Sequence, residues 1–298
     1  MRNAIASLLL ASACGGASES PSPPAASQAC VVFDEARGRL LVFGGQSAAG
    51  PQSDTWLWDG SSWSRAVGAG PEKRTGSAAA FDRRRGRIVL FGGDTGSALL
   101  GDTWEWDGAV WTRASGAGPA PRSFHRLAYD AARERTVLFG GSTGGSTFPG
   151  ETWEWDGSAW TQAAASGPAG RFLHALSYDE ARAAVVLFGG FDGASPLADT
   201  WEWDGAWHTA PAGPSARDHV NLAYDRTAQG GVLYGGETWV RTAQIWAQVA
   251  APGPTAMNGE LTFDTVRGRV MLYEVPDSGT LKLWSWDGAG WSQEYPRR

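Results

Sequence analysis

Four arginines recur at one fixed distance from a repeated aromatic-Asp pair. Arg74, Arg122, Arg171 and Arg217 each stand eight residues before Asp82, Asp130, Asp179 and Asp225. Five residues before the same aspartates stand Ser77, His125 and His174, with His219 one position earlier in its copy. Guanidiniums brought to one point hold a carboxylate or an anionic sugar through paired N–H bonds. Arg74, Arg122, Arg171 and Arg217, with His125, His174 and His219, are therefore the candidate ligand-binding residues. A structural role competes with this one. An acid stands two residues before a recurring tryptophan at Asp54, Asp102, Glu151, Asp199 and Glu237, with Lys282 in the sixth copy. The sixth copy has Ala256 at the arginine position and so lacks both partners, whereas the first has Ala26 there and keeps Asp54. That covariation between copies fits an Arg–carboxylate pair that buttresses each unit, and a guanidinium edge left free would serve both roles.

No catalytic set stands out. H-E-x-x-H, C-x-x-C, EF-hand loops and phosphate-cradling glycine motifs are absent from the sequence. Its Ser-x-Gly segments lack the strand–elbow–helix setting of a hydrolase nucleophile. An acid repeated in nearly every copy, such as Asp107 before Gly108, punctuates a fold, because an active site breaks symmetry. No catalytic residue, metal or cofactor is assigned. A net charge of −6 argues against sequence-independent nucleic-acid binding, which needs a cationic surface.

The elements that must position these residues are repeats. One copy runs from Tyr129-Asp130 through the apolar Arg135 to Phe139, then Gly140-Gly141, then Thr152-Trp153-Glu154-Trp155-Asp156-Gly157, then Trp160. All 17 tryptophans fall in three columns. The first is Trp56, Trp104, Trp153, Trp201, Trp239 and Trp284; the second is Trp58, Trp106, Trp155, Trp203 and Trp286, with Arg241 in copy five; the third is Trp63, Trp111, Trp160, Trp207, Trp246 and Trp291. Each copy reads as four short strands, with the Asp-Gly pair turning the last hairpin. A lone four-stranded sheet cannot cover so many rings. Sheets stacked face to face can, each indole removing about 150–250 Å² from water. Four-stranded units of this length, stacked around an axis, make an all-β, six-bladed β-propeller.

The apolar run, the double glycine and the spaced tryptophan resemble the kelch repeat, over about residues 27–298. The resemblance implies four-stranded kelch-type blades. It also names two enzymatic branches. The copper-radical galactose oxidases need a Tyr–Cys crosslink, and here Tyr129, Tyr178, Tyr224, Tyr234 and Tyr273 occupy repeat aromatic columns while Cys30 is the one spare thiol. A six-bladed bacterial mutarotase or epimerase of sialic acid is compatible with the blade count and the arginines. Every copy begins at strand one, so the ring should close by packing blade six on blade one. The loops between strands two and three, at 46–53, 94–101, 142–150 and 191–198, vary between copies as binding loops do. In copy five Gly235-Gly236 runs directly into Glu237-Thr238-Trp239, leaving a notch in the rim.

Residues 1–13 have a cationic start, an apolar run and a small-residue end ahead of Cys14, and resemble a bacterial lipoprotein signal. Lipidation of Cys14 is the expectation, and simple secretion the alternative. Residues 14–26 are Gly-, Ser-, Ala- and Pro-rich and suit a flexible tether. The reading is then a monomeric, non-enzymatic kelch propeller in the bacterial envelope or outside the cell, meeting the membrane through its lipid alone. Its loop face would take a protein or glycan. A mutarotase or epimerase of an anionic sugar is the alternative.

Overall fold

The computed structural model describes residues 21–250, 252–257, 259–276 and 279–296. Six four-stranded antiparallel sheets follow one another along the chain, each in simple meander order, with a small two-stranded hairpin, Gln46–Ser47 paired with Gly50–Pro51, inserted between the second and third strands of blade one. In blade three these are Arg126–Asp130, Arg135–Phe139, Thr152–Trp155 and Trp160–Ala164. The first strands of all six blades, Cys30–Asp34, Ala78–Asp82, Arg126–Asp130, Ala175–Asp179, Asn221–Asp225 and Gly259–Asp264, pack side by side around the centre. The chain is thus a six-bladed β-propeller with strand one innermost.

The ring closes face to face. Phe33, Leu40, Trp56 and Trp58 of blade one share a buried cluster with Met271, Tyr273 and Leu283 of blade six. The Phe33 N–H donates to Thr262 Oγ1 at 3.1 Å, and the Tyr273 hydroxyl donates to the Ala26 carbonyl at 3.1 Å. Among the described residues, no strand is exchanged between the two ends. Packing reaches back past residue 27, since Pro23 and Ala26 are already buried. The lipoprotein-like leader and Cys14 lie outside the described residues.

Tryptophans join each blade to its neighbour. In the third column, Trp111, Trp160, Trp207 and Trp291 donate their indole N–H to Thr55, Thr103, Thr152 and Thr238 of the preceding blade, at 2.7–2.9 Å. In the second column, Trp155 donates to Glu105 and Trp203 to Glu154, again one blade back. The first column turns inward on its own blade, where Trp104, Trp201 and Trp239 donate to Asp102, Asp199 and Glu237. One side chain therefore supplies both apolar area and a directed bond, which fixes blade spacing as well as favouring stacking.

The double glycine has a steric cause. Gly140 has φ +70°, and a Cβ there would lie 2.4 Å from the Arg171 carbonyl oxygen of the next blade's entry loop. Beside it, the Gly141 N–H donates to that same carbonyl at 2.8 Å. Blades one, two and four repeat the contact with Arg74, Arg122 and Arg217. Only a residue without a side chain lets the neighbouring backbone approach so closely.

Candidate functional site at the mouths of the central channel

Each sequence-selected arginine enters its blade wall. Arg74 is fully buried; Nη1 and Nη2 bind Asp102 at 2.6 and 3.0 Å, Nη1 also reaches the Gly92 carbonyl, and Nε donates to Glu72 O. Arg171 repeats this with Asp199, Gly189 O and Ala169 O, and Arg122 with Glu151, Gly140 O and Ala120 O. Burial pushes Asp102 and Asp199 up, but the arginine and indole hydrogen bonds outweigh it and hold both carboxyls below their usual value. Arg217 is more open, binding Glu237 at 3.1 Å and covering the Trp239 ring, because no long loop shields blade five.

The copies that lack this pair compensate. In blade one, Asp54 pairs with Arg65 of strand four. In blade six, Glu274 stands where other copies have the first glycine. It is buried, accepts the Trp284 indole at 3.0 Å and the Ala256 N–H at 3.2 Å, and has Lys282 3.9 Å away.

His125 and His174 are buried between blades, edge-on to Phe91 and Phe139. None of their ring nitrogens makes a hydrogen bond of normal geometry. Burial, aided by Arg122 and Arg126 for His125 and by Arg126 and Arg171 for His174, drives both well below the ordinary imidazole value, so they stay neutral. His219 belongs to a different set. Gln28, Gly76, Phe124, Leu173 and His219 occupy equivalent places just ahead of strand one, all left-handed, with φ between 52° and 60°. Val220 takes the place that His125 and His174 hold. Backbone bonds link these residues around the axis: Gly76 N to Gln28 O, Phe124 N to Gly76 O, Leu173 N to Phe124 O, and Val220 N to Leu173 O. The result is a main-chain collar on the loop face.

One level of strand one, four residues before each aspartate, holds Cys30, Ala78, Arg126, Ala175, Asn221 and Glu260; Cys30, Ala78 and Ala175 are buried between blades, while Arg126, Asn221 and Glu260 line the mouth inside the collar. Two of the six are charged, and they meet. Arg126 Nη1 lies 2.6 Å from Glu260 Oε2, while Arg126 Nε donates to His174 O at 3.0 Å. Blades three and six are opposite each other, so this pair spans the mouth. A cavity of about 50 Å³ beside it is lined by Ser77, His125, Arg126, His219, Asn221 and Glu260, among others.

The opposite mouth is also bridged. The residue after each repeated aspartate reads Glu35, Arg83, Ala131, Glu180, Arg226 and Thr265 around the ring. Arg83 binds both Glu35 and Glu180, and Arg226 binds the same two carboxylates. These four residues, from blades one, two, four and five, form an alternating ring of charge at one end of a cavity of about 160 Å³ lined by all six first strands. Sequence reasoning missed this quartet, although its period of three copies was present in the residue following each aspartate.

Among the described residues, no group of three or more His, Cys, Asp and Glu is placed to hold a metal ion. Fold and site together define a six-bladed β-propeller whose arginine–carboxylate pairs mainly brace single blades, with charged bridges across both mouths and a small pocket beside one of them. A solved structure similar to it is that of YjhT, with a TM-score of 0.72 and 11% identity over 92% of this chain and 98% of that one. At that identity the likeness concerns the fold. No protein-family model and no curated protein sequence matches the chain.

Proposed function

We propose that this chain is a kelch-type propeller acting as a non-enzymatic binding module, held at the bacterial envelope by lipid on Cys14. One observation carries the reading. Loops of different sequence in blades one to four stand on near-identical blades around one mouth, while blade five passes from Tyr234 to Thr238 with almost no loop. A repeated scaffold with diversified loops on one face is how recognition surfaces are built. In blade three the loop is itself ordered: Phe148 stacks on Phe172 at 4.7 Å, and Phe172 meets Phe191 of the next loop edge-on at 5.7 Å. The ligand in this reading is a protein or glycan. The test is a glycan array read with the intact chain and with a variant whose 142–150 loop is cut to the length of the blade-five connection. Binding lost on shortening supports the reading, and binding indifferent to it counts against. Mass spectrometry of the membrane fraction checks the anchor by looking for a diacylglycerol-modified Cys14.

The second reading, a mutarotase or epimerase of an anionic sugar such as sialic acid, is favoured by the Arg126–Glu260 pair. There a guanidinium and a carboxylate stand together at a mouth rather than inside a blade wall. A mutarotation assay on sialic acid decides it, since turnover would exclude a purely binding role.

A further inference from the structure

The level of strand one that holds Arg126 and Glu260 departs from the repeat. Three of its six positions carry Cys or Ala, Asn221 is tied to the Gly259 carbonyl, and only Arg126 and Glu260 are charged. They bond across the mouth at 2.6 Å and are each only about one-fifth exposed. Ser77 and His125 are among the residues around the same cavity, and Ser77 Oγ and both ring nitrogens of His125 are buried without a hydrogen bond of normal geometry. Buried polar groups without partners are uncommon in folded proteins, and each calls for a ligand or water. The cavity of about 50 Å³ is several times the least space that one water requires.

The chemistry of the occupant follows from charge balance. A simple anion taken by Arg126 strands the half-buried Glu260 carboxylate, and a simple cation taken by Glu260 strands Arg126. Either loss leaves an uncompensated charge in a desolvated place. A molecule bearing both charges close together replaces the ion pair without stranding either side. We propose that this mouth binds a small zwitterion of the α-amino acid type, its carboxylate held by Arg126 and its ammonium by Glu260. The Arg126 Nε bond to His174 O anchors the guanidinium while its outer edge turns to the ligand.

This inference goes beyond both functional readings and depends on neither. It is tested by calorimetry and thermal shift on the intact chain with glycine, L-alanine and L-serine, against sodium acetate and methylammonium chloride. Saturable binding of at least one zwitterion is expected, with acetate and methylammonium weaker by about tenfold or more, since each leaves one partner unpaired. Glu260→Gln removes the need for an ammonium and should bring acetate level with glycine, and Arg126→Met should abolish the response to glycine and acetate alike. If Arg126→Met does not fold, Glu260→Gln alone decides. No saturable response to any of the three zwitterions, or acetate binding as tightly as glycine to the unaltered chain, overturns the proposal. A chain that binds glycans through its loops but ignores glycine would overturn this inference alone.

Discussion

Arg241 of blade five donates to Glu202 of blade four, in the place where Trp203 donates to Glu154 and Trp155 to Glu105. The second column loses its indole in blade five but keeps a donor aimed one blade back. Arg182 and Gln244 complete the shell around Glu202. Arg241→Ala should therefore cost about 2 kcal/mol, the scale of a lost hydrogen bond to a charged group. Arg241→Trp should cost less, because it restores the arrangement of the other blades. Urea denaturation of the two variants beside the parent measures both.

The same carboxylate predicts behaviour in acid. Burial pushes Glu202 up, but the hydrogen bonds from Arg182, Arg241 and Gln244 outweigh it and hold the group at about 2. A folded value below the unfolded one means stability that is present above the unfolded value near 4.5 and lost as pH falls toward 2. Stability should decline across that window, and more gently in Arg241→Ala. Denaturation midpoints at pH 5, 4 and 3 check the difference.

Neutral histidines act in a higher window. His125 and His174 are driven well below the ordinary value near 6.5, so the unfolded chain takes up their protons first as pH falls. The stability they contribute is complete above about pH 6.5 and falls below it, by at most about 1.4 kcal/mol per pH unit for each. His174→Phe should flatten the slope between pH 6.5 and 5.5. An unchanged slope would show that the residue is not held neutral.

Arg171 tests the buttress directly. Its guanidinium joins the Gly189 carbonyl, the Ala169 carbonyl and both oxygens of Asp199. Arg171→Ala should lower stability by about 3 kcal/mol through the orphaned carboxylate and carbonyls. Arg171→Lys should recover little, since an ammonium does not reproduce the planar fork. A melting temperature unmoved by either change would point to a ligand role in place of a structural one.

Two left-handed glycines should separate steric from conformational cost. Gly145 has φ +59° and open space where a Cβ would go, whereas Gly140 has φ +70° and the Arg171 carbonyl 2.4 Å from that point. Gly145→Ala should cost about 1–2 kcal/mol, the ordinary left-handed penalty. Gly140→Ala should cost clearly more, because blades three and four would have to part. Thermal melts of the two variants compare them.

Much of this was legible in the sequence because it is local or repeats in register. The tryptophan columns marked the blade contacts, the double glycines marked the approach of the next blade, and the presence or absence of Arg with its acid across copies anticipated Arg74–Asp102 and Arg171–Asp199. What escaped were contacts set by the angle between blades. Arg126 and Glu260 are 134 residues apart and meet only because blades three and six face each other across the axis. Glu274 escaped for another reason: it does the work of a missing acid from a neighbouring strand, so reading down a single column does not find it.

The main-chain collar has a consequence for how this molecule can change. Peptide groups, passing from Gln28 through Gly76, Phe124 and Leu173 to Val220, tie blades one to five together around the opening. Side chains one step deeper are then tenants rather than girders. Exchanging Arg126 and Glu260, the two partly exposed side chains at that level, alters what the opening admits while the main-chain bonds around it stay in place, so new chemistry can be tried there with little risk to the ring.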